Sequence, residues 1–466
     1  MLARETRRGR RRTLLALGLA GCAIAGCSGA GDGTDSSSSS SAQIGATGDR
    51  LSRELADAFR VDLSSVDVAF DWYPGRDRVD GSAELRFTMR AGEETPIFHF
   101  NPLRGTKADE REMLSGLQLD DEALDPADDA DLRIVRTARG GERAYEIQRK
   151  IDDDSEHTLE VEWSMPKPFP PKPGRPWFFQ TFDDTQGPGN EIDSPFPTIS
   201  SPDELARHTI DLRVHSAGRY TALGSGSVEQ VGAGEEGIQE WRIDSGREIS
   251  SSTMFFAAVP SAKVDVGSFE ADGVEVELVT NRPAEDARRA EQVVRDSFAT
   301  LTEDFGPFPV DRVSILMTRW GSGMEYYGAV RTGLGALEHE MGHMYFGTTL
   351  VNRTWRDTWW DEAAVQWWQG HERKQPVPAR FERPFGEDRP PAAPGFDTAA
   401  YGSGTKVFEA IARELGGDEE LIELLARISA EHRFEPFTTA DFIDAIVGFD
   451  DSVDRAQLER WMLGRD

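Results

Sequence analysis

The sequence predicts an α+β protein of two domains, an N-terminal antiparallel β domain followed by a mixed domain that becomes all-helical. Short runs of period two fill the first part, and helical spacing takes over near residue 263. The length of 466 residues is enough for two or three separate cores.

The β domain is expected over residues 51–262. Val66-Asp67-Val68-Ala69-Phe70, Ala83-Glu84-Leu85-Arg86-Phe87, Thr158–Trp163 and Ile210–Val214 alternate apolar and polar residues. Turn clusters such as Pro74-Gly75-Arg76-Asp77 separate them, and no long amphipathic helix interrupts. Alternation of this kind suits antiparallel strands, one-sided or stacked as a sandwich.

Residues 263–466 read as the second domain. A strand, Val274–Val279, leads into Ala284–Phe305, where Ala287, Ala290, Val294, Phe298, Leu301 and Phe305 recur at helical spacing. A strand at Arg312–Thr318 and a glycine-rich stretch, Gly321–Gly335, come next. Helices are expected over Leu337–Phe346, Trp360–Gly370, Thr405–Leu415 and Glu419–His432. Pro376–Pro394 carries six prolines and reads as a long surface loop. There are no internal repeats.

Composition narrows the function classes. Apolar residues make up 38% and aromatics 9%, as in soluble globular proteins. The formal charge is −31, and it becomes −36 without the first 26 residues, whose net charge is +5. So acidic a surface repels phosphate backbones, so nucleic acid is not an expected partner. Both cysteines, Cys22 and Cys27, lie in the first thirty residues, leaving the body without disulfides, thiolate ligands or cysteine nucleophiles.

The N-terminus reads as an export signal. Arg7, Arg8 and Arg10–Arg12 precede the apolar stretch Thr13–Ala25, which is too short for a permanent membrane span. Ile24-Ala25-Gly26-Cys27 resembles a bacterial lipobox, which implies a signal peptide over residues 1–26 and a lipid anchor on Cys27. Leu19-Ala20-Gly21-Cys22 fits the same pattern with a shorter apolar run. Arg11-Arg12-Thr13-Leu14-Leu15 leaves twin-arginine export open beside the general route. Residues 27–50, with a six-serine run at Ser36–Ser41, read as a flexible tether. The expected location is outside the cytoplasm, on the cell envelope.

The chemistry concentrates in His339-Glu340-Met341-Gly342-His343. On a helix, positions i and i+4 share a face, so both imidazoles reach one tetrahedral zinc ion at about 2.0–2.1 Å. The glutamate between them is placed to act on water. After eighteen intervening residues comes Glu362, placed to be a third ligand from a second helix, and the set resembles that of the gluzincin zinc sites.

His339–Gly347 followed by Trp359-Trp360-Asp361-Glu362-Ala363 resembles the HExxHxWFG…WLNEG signature of the aminopeptidase N family of zinc metallopeptidases. Gly323-Met324-Glu325-Tyr326 resembles that family's GAMEN motif, Tyr401 in Ala400-Tyr401-Gly402-Ser403-Gly404 its YEKG tyrosine, and Phe196–Pro202 its FPCFDEP segment. The match in order covers about residues 60–466.

The resemblance implies a thermolysin-like catalytic domain holding one zinc ion on His339, His343 and Glu362. It implies Glu340 as general base, Tyr401 as donor to the developing oxyanion, and Glu325, with Gly323 and Met324, as the binder of a peptide's free N-terminus. Family members also place a Gln or Glu from the β domain near the amine, for which Gln180 and Gln186 are candidates. Four departures bear on substrate range. Ser322 replaces the first glycine of GAMEN, and the Glu325–His339 segment is about ten residues shorter than in relatives. Ser403 replaces the YEKG lysine, and Asp361-Glu362-Ala363 replaces NEG. A gluzincin endopeptidase and a non-catalytic binding lipoprotein remain as rival readings.

Overall fold

Alternating burial turns the predicted runs into strands. A computed structural model of the chain describes residues 61–464, apart from residues 77, 94, 101–112, 137–142, 153–154, 167–178, 181–195, 200–201, 233–236, 319–322, 355–356, 372–373, 375, 379–380, 382–384 and 386–397. The leader, the tether with both cysteines, Gln186 and Ser322 lie outside the described residues. Among the described residues no helix is long and apolar enough to cross a membrane.

The Val61–Tyr73 strand buries Val66, Val68, Phe70 and Trp72 on one face. It lies inside an eight-stranded sheet. The order is Ser227–Gly232, Ile238–Ser250, Leu205–His215, Val61–Tyr73, Arg78–Met89, Glu156–Pro166, Leu114–Leu119 and Glu122–Ala123. One pairing departs from the antiparallel expectation: Val61–Tyr73 runs parallel to Leu205–His215, with Val66 opposite His208. A parallel pair needs a long crossover, and residues 74–204 between the two strands supply it.

Two three-stranded sheets complete this part: Ile97–His99, Arg143–Ile147 and Leu132–Arg136 in one, Tyr220–Gly224, Phe256–Pro260 and Phe179–Gln180 in the other. Phe70 meets Trp163 edge-on with ring centroids 5.9 Å apart, a favoured aromatic geometry. His99 and His208 are buried here, and burial holds both imidazoles down to about 4.

The second part opens on a five-stranded sheet in the order Asp265–Ala271, Val274–Thr280, Arg312–Met317, Ala329–Thr332 and Met324–Tyr326. Helix α1 (Ala284–Phe305) buries Ala290, Val294, Phe298, Leu301 and Phe305, the stripe its spacing predicts, and stops where Gly306 adopts φ +86°. Removing Val294, Phe298 or Leu301 from water is worth about 1.5–3 kcal/mol each.

Helix α2 (Leu337–Gly342) is shorter than the expected Leu337–Phe346. After Gly342 the chain tightens into i to i+3 bonds, from Met344 N to Met341 O at 3.2 Å and from Tyr345 N to Gly342 O at 3.1 Å. Helices α3 (Trp359–Gly370), α4 (Ser403–Leu415), α5 (Asp418–Glu431), α6 (Thr439–Phe449) and α7 (Arg455–Met462) follow. Thr438 caps α6 in a reciprocal box with Asp441.

Two glycines set how closely the site helices approach. A Cβ on Gly342 would stand 2.7 Å from Val365 Cγ1, and one on Gly404 would stand 2.7 Å from Ala363 Cβ. Helices α2 and α4 therefore both press on α3, the helix that carries Glu362. The buried hydrophobics form one core in the β part, one joining the helices to the five-stranded sheet, and a small third cluster in which residues of the β part meet strands of that sheet.

Candidate active site

His339 lies in α2 and His343 at its C-terminal cap, while Glu362 sits in the first turn of α3. The two helices bring three donor atoms to one point. His339 Nε2 is 3.0 Å from Glu362 Oε2, His343 Nε2 is 3.3 Å from the same oxygen, and the two Nε2 atoms are 3.1 Å apart. Donors about 2.0–2.2 Å from a tetrahedral zinc ion stand roughly 3.3–3.5 Å from one another, and the three separations here lie at or a few tenths of an ångström below that spacing.

The hydrogen bonds on the far side of each ring settle which nitrogens face inward. His343 Nδ1 donates to the Phe346 carbonyl at 3.0 Å. His339 Nδ1 donates to Gln369 Oε1 at 3.1 Å, and Gln369 Nε2 donates in turn to Glu338 Oε2 at 3.4 Å. In the neutral form of each ring these bonds leave the Nε2 lone pair facing inward. With a carboxylate oxygen the two rings thus offer three donors to a cation, and a cation there takes the place of a proton on His343. The residues present fit a zinc ion.

Charge is concentrated around this point. Burial opposes the charge on His343, but the carboxylates of Glu325, Glu362 and Glu340 outweigh it and raise its pKa well above the ordinary histidine value. Burial likewise opposes the Glu362 charge, yet His343 and His339 hold its carboxyl far below the usual range. Asp361 is pushed up to about 8 by burial, which His343 opposes and Glu362 and Glu325 reinforce. Its carboxyl accepts from the Asn352 amide and, at 2.5 Å, from Glu362 N. Gly347, at φ +98°, leaves room for that carboxyl, since a Cβ there would lie 3.0 Å from Asp361 Oδ2.

The structure brings Glu325 and Glu340 to the same point. Glu325, Glu340 and His343 each offer an atom within 4.8 Å of the others. Gly323 packs directly on the Glu340 carboxylate, and any Cβ there would collide with it. Met324 and Glu325 lie on the Met324–Tyr326 strand, which pairs with Ala329–Thr332. Burial, opposed by His343 and helped by Glu362, raises the Glu325 pKa.

Tyr401 is 39% exposed, but its hydroxyl turns inward and donates to Glu362 Oε1 at 2.6 Å. Burial and the neighbouring Glu362 carboxylate keep that phenol protonated far beyond its ordinary range. The Gln180 backbone pairs with Ala257.

Gln369 is the residue that sequence reading missed. It lies seven positions after Glu362, two helical turns along the same face, and that spacing was the available signal.

No protein-family model matches the chain, and no curated protein matches it. Solved structures do. An M1 zinc metallopeptidase from Deinococcus radiodurans is 15% identical, with 87% of this chain and 94% of that chain covered and a TM-score of 0.64. A two-domain M1 zinc metallopeptidase variant bound to L-arginine is 16% identical, with 87% and 95% covered and a TM-score of 0.64. Legionella pneumophila aminopeptidase A, in complex with aspartic acid, is 14% identical, with 86% of this chain covered and a TM-score of 0.64. This chain spans 49% of that larger protein. At these identities the likeness speaks to architecture: the chain has the fold of the two-domain M1 zinc metallopeptidases.

Proposed function

We propose that this protein is a zinc-dependent aminopeptidase that removes N-terminal residues from peptides. The observation that carries the reading is the convergence of His339 Nε2, His343 Nε2 and Glu362 Oε2 at 3.0–3.3 Å, beside two further carboxylates, Glu325 and Glu340. Zinc held by those three residues would supply Lewis acidity, which polarises a peptide carbonyl and acidifies water.

The chain's own groups divide the rest of the work. Glu340 takes a proton from the attacking water and returns it to the leaving amine. Tyr401, protonated and already a donor, turns from Glu362 to the oxygen on which negative charge develops. Glu325 offers a buried carboxylate to the substrate's α-ammonium group, and a peptide without that charge leaves the carboxylate unpaired.

A panel of amino-acid amide fluorophores and their N-acetylated forms tests this reading. Free-amine substrates are expected to be hydrolysed, with activity lost to a chelator and restored by zinc. Acetylation is expected to cost at least about a hundredfold in kcat/KM, the order of effect seen when one partner of a buried charge pair is removed. Equal cleavage of blocked and free peptides would instead indicate an endopeptidase.

A further inference from the structure

The strand that bears Glu325 is weak on its own terms. Met324–Tyr326 has three residues, pairs among the described residues on one side only, with Ala329–Thr332, and turns back through Tyr327 and Gly328. A three-residue edge strand has little intrinsic stability, so its position depends on what packs against it. What packs against it comes from the β part, about seventy residues earlier in the chain.

Tyr326, directly after Glu325, is buried and stacks on Phe255 with ring centroids 4.7 Å apart and planes at 30°. Both rings belong to the small third core, in which Leu223, Ala257 and Val259 of the β part meet Val279, Leu316 and Ala329 of the second part. The next residue is tied by its backbone, with Tyr327 N donating to Thr253 O at 2.9 Å.

The supporting segment is itself locked. Thr253 Oγ1 donates to Ser250 O at 3.0 Å, Phe255 N donates to Ser225 Oγ at 2.9 Å, and Ser225 N donates to Phe255 O at 2.9 Å. A rigid segment of the β part therefore meets the two residues that follow Glu325, one through a ring face and one through a hydrogen bond.

We propose that the β part sets the position of Glu325, with Phe255 and Thr253 as positioning residues for recognition of the substrate's N-terminus. The inference rests on the aminopeptidase reading of Glu325 and adds what holds that carboxylate in place. It makes the β part a component of the amine site, reached through the strand rather than by touching substrate. The zinc ligands, on α2 and α3, stand outside this brace.

The test uses the full zinc-loaded chain carrying Phe255→Ala, with Phe255→Tyr as the conservative variant. An aromatic pair is worth up to about a tenfold change in an equilibrium constant beyond its buried area. Phe255→Ala is expected to raise KM for a free-amine amide about five- to tenfold, with kcat within about threefold and zinc affinity unchanged. Phe255→Tyr is expected to restore KM. In hydrogen exchange, the Tyr327 amide loses protection in Phe255→Ala while the α2 and α3 amides keep theirs.

Unchanged protection at Tyr327 overturns the brace whatever the activity, and so does an unchanged KM. A parallel loss of kcat, zinc affinity and protection across both helices would mean a merely structural role and overturns it too. If Phe255→Ala does not fold, Phe255→Leu is measured in the same way. A wild-type enzyme indifferent to N-acetylation would sink the amine-site reading instead, while the exchange data still decide the brace.

Discussion

Replacing Glu340 by glutamine is expected to lower kcat for an aminoacyl amide by about 10²–10⁴-fold, the usual worth of a positioned proton-transfer group. Zinc affinity is expected to stay within a few-fold of wild type, because the converging donor set is His339, His343 and Glu362. The substitution preserves shape under Gly323, where the carboxylate is tightly packed, and removes only the ability to accept a proton. The reading predicts a fall in kcat with little change in KM. Steady-state kinetics beside a zinc titration separates these quantities, and activity within tenfold of wild type would remove Glu340 from the role of base.

A second large effect concerns acid stability and arises far from the site. His99 and His208 are buried and neutral, with pKa values of about 4 against 6.5 for the free side chain. The unfolded chain binds protons at both positions before the folded chain does, so stability falls as pH drops. The contribution is intact above pH 6.5 and is lost progressively between 6.5 and 4. At full loss it is on the order of 3 kcal/mol for each histidine, a large fraction of a typical domain's stability. Glu204, pushed up to about 7 by burial, which its contacts with Leu63 N and Arg90 oppose, acts with the opposite sign over much of the same range. The informative quantity is therefore the difference between wild type and His99→Gln or His208→Gln. Urea unfolding at pH 7.5 and pH 5 should show a shallower pH slope in each variant, and a slope equal to wild type would contradict the assignment.

Much of the site was legible in the sequence because its parts are local. Two histidines four apart on a helix share a face whatever the surrounding fold, and Glu362 lies in the same short stretch of chain. The heptad-like spacing of Ala290, Val294, Phe298, Leu301 and Phe305 gave α1 for the same reason, since period and burial are two views of one face. The parallel pairing of Val61–Tyr73 with Leu205–His215 was not legible, because alternation fixes which face is buried and says nothing of strand direction. Nor was the early end of α2, which reflects hydrogen bonds to Met341 and Gly342 that no side-chain pattern announces. The Phe255–Tyr326 stack joins residues far apart in sequence, and only the packed structure makes them neighbours.

The central claim is that His339, His343 and Glu362 form one metal site. Calorimetric titration of zinc into chelator-stripped protein, for wild type, His343→Ala and Glu362→Ala, tests it most directly. One ion per chain is expected for wild type, with affinity lower by more than about a hundredfold in each variant, since few donor bonds carry the binding free energy. Wild-type affinity retained in Glu362→Ala, or no saturable binding to the unmodified chain, would contradict it.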